Sequence, residues 1–211
     1  MPPRRHFSLE KLTTESLILI GGGGHARACL DVIWSEQKFK VVGIVDLSDL
    51  VGTEVLGVPV IGTDADIPSL VTSSVSFLIS LGQLTSSEPR MHIHCRLRAL
   101  GARMPTIVAP TASVSPWAIV GEGTIVMHMA LIGPGARIGE NCIINTRALV
   151  EHDSEVGDHS HVSTGAIVNG NCRIGSGVFI GSSAVLKQGV QIGDRSVVGM
   201  GSCVRQNMGT F

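Results

Sequence analysis

The chain has 211 residues, 26 of them glycine, with 44% hydrophobic but only 3% aromatic side chains, no tyrosine, and a formal net charge of −1. That length suits one large domain or two small ones; the charge balance leaves no basic footprint for nucleic acid, and no apolar run is long enough for membrane insertion. The five cysteines, Cys29, Cys95, Cys142, Cys172 and Cys203, are widely spaced and odd in number, which suggests neither a zinc knuckle nor a disulfide framework and fits a reducing cytoplasm.

Residues 1–15, MPPRRHFSLEKLTTE, read as an N-terminal extension, basic but without an apolar core behind it. From residue 16 to 105 the pattern is that of an α/β, Rossmann-like domain. SLILI (16–20) is a short buried strand, and GGGGHARACLDVIWSE (21–36) is a glycine turn running into a helix. KVVGIVD (40–46) is a second strand ending in Asp46, VSFLIS (75–80) a third followed by LGQ, and residues 87–100 are helical. Strand, glycine turn, helix and strand in that order predict a parallel sheet.

From 106 to 211 the grammar changes. Stepping by six from Val108, through Val114, Val120 and Val126 to Val198 and Val204, every position is Val, Ile or Leu. Such residues make up roughly a quarter of ordinary sequence, so chance does not sustain the phase. Four residues after each marker the side chain is usually small, as at Ala112, Ala118, Thr124, Ala130, Cys142, Ser154 and Ala166. This hexapeptide repeat predicts a β-helix solenoid: one hexad per face of a triangular coil, the aliphatic marker inside, the small residue at the corner. Three hexads close a turn, so residues 18 apart stack about one strand spacing, ~4.8 Å, from each other. His152 therefore lies beneath Gly170, whose missing side chain leaves a pocket and an accessible N–H.

The chain resembles the hexapeptide acyltransferases, left-handed β-helices that trimerise and bind acetyl-CoA between subunits. It resembles in particular the branch with a Rossmann-like N-terminal domain, which holds bacterial nucleotide-amino-sugar N-acetyltransferases and sialic acid O-acetyltransferases. The resemblance rests on IGGGGHA (20–26), the strand ending in Asp46, NTRALVEHD (145–153), GDHSHVSTGA (157–166) and the unbroken hexads. It implies His152 as general base, with Asp153 or Glu151 orienting the imidazole. It implies His161 and Asn145 near the thioester, the Gly170 N–H as donor to the thioester carbonyl, and Gly181, Ser182, Gly199 and Met200 along the coenzyme groove. In the N-terminal domain it implies a phosphate cradle at Gly22, Gly23, Gly24 and His25, with Asp46, Gly82 and Gln83 lining the same nucleotide-sugar crevice. A homotrimer with sites between subunits, acetyl-CoA as co-substrate and no metal are what the family leads one to expect.

The chemistry agrees. Attack of an amine on a thioester needs a proton acceptor that works near neutral pH, and histidine supplies one. It needs a preset donor for the oxygen that gains charge, and a backbone N–H serves. It needs no protein nucleophile. Free N–H groups at a helix N-terminus suit a pyrophosphate. The glycine turn departs from the dinucleotide fingerprint, having Ala26 at the sixth place, which favours a nucleotide sugar over NAD. Many relatives carry two acids at the end of the second strand; here Leu47 stands in the second place and leaves the base open. A further departure is the end at NMGTF, where relatives continue into a tail. His6, His92, His94 and His159 read as inert surface histidines.

The expected function is N-acetylation of a nucleotide-linked amino sugar, most simply a 4-amino sugar, for surface glycan or lipopolysaccharide. Sugar O-acetylation of the sialic acid type is the near alternative. A zinc lyase like the β-helical carbonic anhydrases, drawing on His128, His152, His159 and His161, is a remote one, since His152 and His161 are half a coil apart and open zinc sites need three converging ligands. An inert scaffold or nucleotide sensor is the third.

Overall fold

The computed structural model describes residues 15–209; the N-terminal extension with His6, up to residue 14, and the last two residues of NMGTF lie outside the described residues. The N-terminal part is a five-stranded sheet. Strands β1 (Glu15–Ile20), β2 (Phe39–Val45), β3 (Glu54–Val55), β4 (Val58–Gly62) and β5 (Val75–Ile79) lie in the order β3-β4-β2-β1-β5, parallel except for β3 against β4. Helix α1 (Gly24–Glu36) covers one face and α3 (Glu88–Ala99) the other, with one turn, α2 (Ile67–Leu70), between β4 and β5. Central β1 reads as an unbroken apolar run because both its faces are covered. Leu17 and Leu19 pack with Cys29, Leu30 and Ile33 of α1, while Ile18 and Ile20 pack with Phe77, Ile93 and Leu97.

The C-terminal part is a coil of two-residue strands, from Ile107–Val108 to Cys203–Val204, stacked in parallel with partners 18 residues apart. The hexad markers point inward and form one continuous core with the small corner residues Ala130, Ala136, Cys142, Ala148, Ala166 and Cys172. Corner hydroxyls tie successive coils: Ser154 Oγ donates to the Asn169 carbonyl (2.8 Å) and accepts the Cys172 N–H (3.1 Å), and Ser160 repeats this with Gly175 and Val178.

The residue before each marker points outward, and the three faces differ. The first face, Ile107, Ile125, Ile143, His161, Phe179 and Val197, meets the N-terminal domain: Ile107, Ile125 and Ile143 are buried in one cluster with α1 and β1. The second face stacks Ser113, Leu131, Leu149, Ile167, Val185 and Cys203, an apolar ladder. The third stacks Ile119, Arg137, Glu155, Arg173 and Gln191, mostly polar. Helix α1 is thus held between the sheet and the first face. No helix among the described residues is long and apolar enough to cross a membrane.

Candidate active site

The stretch EHD forms the corner between the second and third faces. Asp153 takes the left-handed position of that corner (φ 58°), which aims its carboxylate back at its neighbour: His152 Nδ1 lies 2.9 Å from Asp153 Oδ2. A carboxylate only accepts, so Nδ1 carries a proton, and in the neutral imidazole the lone pair is on Nε2. Glu151 reaches only the His152 N–H, at 3.3 Å, and so does not orient the ring. Gly170 sits above as the period requires. A Cβ on Gly170 would fall 2.5 Å from His152 Nε2, and one on Gly135 would fall 2.5 Å from Asp153 Oδ1, so the pair is bracketed by two glycines of neighbouring coils. The Gly170 N–H has no backbone partner among the described residues.

The remaining coil residues singled out in the sequence lie elsewhere. Asn145, Gly181, Ser182, Gly199 and Met200 lie along the corner between the first and second faces, with Ser182 Oγ 3.0 Å from Ser163 Oγ and Met200 82% exposed. Within one chain the whole second face separates this edge from His152. His161 is on the first face, buried in the seam between the two domains. Its Nδ1 donates to the Gln83 carbonyl (2.9 Å) and its Nε2 accepts from Asn145 Nδ2 (3.0 Å), while Asn145 Oδ1 accepts the Thr146 N–H. Burial, helped by the Arg90 charge and opposed by the Gln83 carbonyl, pushes its pKa down to about 4. His161 is therefore a neutral imidazole that holds Asn145 to the edge. His128 serves the same seam: Nδ1 pairs with Thr111 Oγ1 (2.8 Å) and Nε2 lies 3.2 Å from Asp31 of α1.

The keystone of the seam carries no sequence motif. Arg90 of α3 is fully buried. Its guanidinium donates to the carbonyls of Ile79, Leu81 and Asn141 and to Asn141 Oδ1. Burial without a carboxylate beside it pushes its pKa down to about 10. Two of the histidines read as surface residues belong to this seam. His94 is buried edge-on to His159 (ring centres 4.9 Å apart), and His159 Nδ1 pairs with Asn141 Nδ2 at 2.9 Å. The surface reading fails because α3 covers this corner, a contact far away in sequence. Burial pushes Cys29 and Cys142 up to about 12, so both remain thiols. Among the described residues, no three His, Cys, Asp or Glu side chains converge as metal ligands would.

The glycine turn leads into α1 with Gly23 as its N-cap. A Cβ on Gly23 or Gly24 would meet nothing within 4 Å. The Gly22 N–H is already taken by Asp46 Oδ2 at 2.5 Å, so the open amides begin at Gly23. His25 turns toward the seam, its ring 6.4 Å from that of His161, and burial lowers its pKa to about 3. Gln83 is buried and bonds the Gly177 and Val178 carbonyls, so it joins the domains, with Gly82 packed beside His25. Beside the turn, at the carboxyl ends of the strands, lies a cavity of about 410 Å³ lined by Gly21, Asp46, Leu47, Ser48, Thr63, Asp64 and Leu81 among others. Ser48, Thr63 and Asp64 have no motif in the sequence; the turn after β2 brings Ser48 there, and β4 brings Thr63 and Asp64.

A Rossmann-like domain docked on a hexapeptide β-helix, with a histidine–carboxylate pair at a coil corner, defines the sugar acyltransferase class of fold and site. The comparisons agree. Residues 16–96 match the family described as the PglD N-terminal domain, and residues 104–207 that described as the GMPPB C-terminal domain. The acetyltransferase domain of PglB from Neisseria gonorrhoeae, in complex with acetyl coenzyme A, is similar at 30% identity and TM-score 0.84, over 92% of this chain and 93% of that one. PerB from Caulobacter crescentus, in complex with CoA and GDP-perosamine, is similar at 32% identity and TM-score 0.84, over 92% and 91%. WeeI from Acinetobacter baumannii, at 23% identity and TM-score 0.72 over 91% and 92%, shares the fold. No curated protein matches the chain significantly. The chain belongs to the hexapeptide-repeat family of sugar N-acetyltransferases.

Proposed function

We propose that this protein transfers the acetyl group of acetyl-CoA to the amino group of a nucleotide-linked amino sugar, a 4-amino sugar bound for surface glycan or lipopolysaccharide, in the cytoplasm. The observation that carries the reading is the His152–Asp153 pair set against Gly170. Acetyl-CoA supplies the acyl group as a thioester, already activated for attack. His152 Nε2 takes the proton that the sugar nitrogen loses as the new C–N bond forms, and the proton then serves the thiol that leaves as the C–S bond breaks. Asp153 keeps the lone pair on Nε2 and faces the imidazolium that results. The Gly170 N–H donates to the oxygen that gains charge.

We assign the coenzyme to the edge of Asn145, Gly181, Ser182, Gly199 and Met200, with His161 acting through Asn145. We assign the nucleotide sugar to Gly23, Gly24 and the neighbouring cavity, with Gly22 and Asp46 fixing the turn and His25, Gly82 and Gln83 holding it on the coil. Because the second face separates the coenzyme edge from His152 in one chain, the site needs a second copy to bring the two edges together. The apolar ladder Leu131, Leu149, Ile167 and Val185 on that face supports a homotrimer around it. PerB, whose complex contains CoA and GDP-perosamine, supports a donor and an acceptor of these classes. The test is thiol release from acetyl-CoA with a panel of UDP-, GDP- and dTDP-linked 4-amino sugars, and with sialic acid and its CMP conjugate. Turnover on an amino sugar is expected. Turnover on the sialic acids alone would replace N- by O-acetylation, and no turnover on any acceptor would overturn the reading.

A further inference from the structure

Arg90 is a buried cation without a counter-charge. The side chain is 1% exposed, and every group its guanidinium donates to is neutral: the carbonyls of Ile79, Leu81 and Asn141, and Asn141 Oδ1. Its Nε–H has no partner, and no carboxylate among the described residues pairs with it. A fully buried charge is as a rule paired, because neutral acceptors offset only part of the loss of water. The place of this charge is fixed by its own hydrogen bonds. Ile79 and Leu81 stand at the carboxyl end of β5, beside β1, which runs straight into the glycine turn. Ser80 Oγ bonds the Ile20 and Gly21 carbonyls, and a Cβ on Gly21 would fall 2.5 Å from Leu81 Cδ2. With neighbouring strands ~4.8 Å apart, the guanidinium lies on the order of 10 Å from the Gly23 and Gly24 amides. Its field reaches α1, where it acts with burial to keep His25, the second residue of that helix, neutral.

The rest of the crevice is acidic. From Val41 to Pro89 the chain has no lysine or arginine, while Asp46, Asp49, Asp64 and Asp66 fall just beyond the carboxyl ends of β2 and β4. A diphosphate seated at the turn meets those carboxylates. Within the chain, the N-terminus of α1 opposes them, together with two cations near the turn. Arg27 of α1 is exposed, so water and salt screen it; Arg90 is buried, and they do not. We propose that Arg90 is a positioning residue for the acceptor, its buried charge the counter-charge of the acceptor's diphosphate at the Gly23 and Gly24 amides. The guanidinium does not touch the diphosphate; it acts through space. At an effective dielectric of about 20 and that separation, its charge is worth about tenfold in affinity for each negative charge on the ligand. The inference rests on the proposed nucleotide-sugar function of this crevice.

The experiment is calorimetric titration of the mono- and diphosphates of uridine, guanosine and thymidine, each alone, into the wild-type protein, Arg90→Gln and Arg90→Lys, with circular dichroism as the check on folding. Both variants lose the guanidinium fork, so both lose stability; glutamine alone also loses the charge. For the base that binds tightest, the preference for diphosphate over monophosphate is expected to fall about tenfold in Arg90→Gln and to stay within about threefold of wild type in Arg90→Lys. A merely structural arginine gives another pattern, in which each variant weakens mono- and diphosphate by one common factor. An unchanged preference in the glutamine variant, or a lysine variant that loses as much as glutamine, overturns the role of Arg90 and leaves the nucleotide-sugar function standing. If the glutamine variant does not fold, the lysine variant decides: a lost preference overturns the role, and a preference kept without the fork supports it. A folded wild type that binds no diphosphate at all overturns both readings.

Discussion

His152 and Gly170, one coil apart, share a single volume: the imidazole Nε2 lies 2.5 Å from where a side chain on Gly170 would begin. The ring keeps its place because the coil above has none to give. Gly170→Ala is expected to tilt the ring off the Gly170 amide and to lower kcat about 10–100-fold. His152→Ala is expected to lower it about 10²–10⁴-fold, the usual worth of a general base. The double variant should be no worse than His152→Ala alone, because both act on one unit. Steady-state kinetics on the three variants checks this; multiplying losses would show that Gly170 acts by another route.

The two acids beside His152 are expected to differ. Asp153→Asn keeps a residue that tolerates the left-handed corner but removes the charge facing Nδ1. It should lower kcat about tenfold, a modest loss because the carboxylate is 68% exposed. Glu151→Gln should leave kcat within about twofold. Equal losses in the two variants would assign the orienting role to both.

Assembly can be tested on the second face. Leu149→Arg with Ile167→Arg places two charges on the apolar ladder and is expected to convert a particle of three 22.1-kDa chains into single chains, with loss of turnover. Arg137→Glu on the polar third face is the control and should change neither. Light scattering with the thiol-release assay reads both properties. A wild type that scatters as a 22.1-kDa particle would refute the trimer.

Arg90 should matter to stability more than to chemistry. Arg90→Met strands the carbonyls of Leu81 and Asn141 in the seam, at a cost of about 2–4 kcal/mol for losing several buried bonds. Arg90→Lys should restore little of it, because an ammonium cannot fork across the same oxygens. Denaturant midpoints decide, and a lysine variant as stable as wild type would show that charge alone suffices.

Stability should fall with acidity in a defined window. His25, His94 and His161 have pKa values near 3, 4 and 4 in the folded chain, against 6.5 for free histidine. Between those limits the unfolded chain binds the extra protons, so stability is full above about pH 6.5 and is lost as the pH falls toward 4. Thermal melts across that range should show the loss, and His161→Gln should flatten part of it. A transition temperature unchanged from pH 7 to 4.5 would contradict the buried, neutral state of these rings.

Much of this was legible in the residues themselves. Val108 to Val204 in steps of six define the coils, and the 18-residue period alone places Gly170 over His152. The choice of Asp153 over Glu151 was not legible, since it depends on the left-handed turn at 153 and the direction it gives the carboxylate. The seam was not legible either. Arg90, His94, His159 and His161 are joined by docking of α3 and the Leu81–Gln83 loop on the coil, across separations of about 50 to 80 residues, and no local pattern records a contact of that range. The cavity escaped because β3, β4 and the turns around Thr63 and Asp64 are too short to show a period.

Stacking in threes also constrains how this chain can change length. Each coil spends 18 residues to return to the same face, so a duplicated or deleted block of 18 leaves every later side chain looking in its old direction. A block of six would turn all that follows by a third of a revolution. The arginine–glutamate ladder of Arg137, Glu155 and Arg173 would then swing onto a neighbouring face, while Val, Ile and Leu still filled the interior. Such a chain could remain folded and lose its assembly and its site together. Length in this protein is therefore counted in whole turns, and the hydrophobic interior alone would not detect the error.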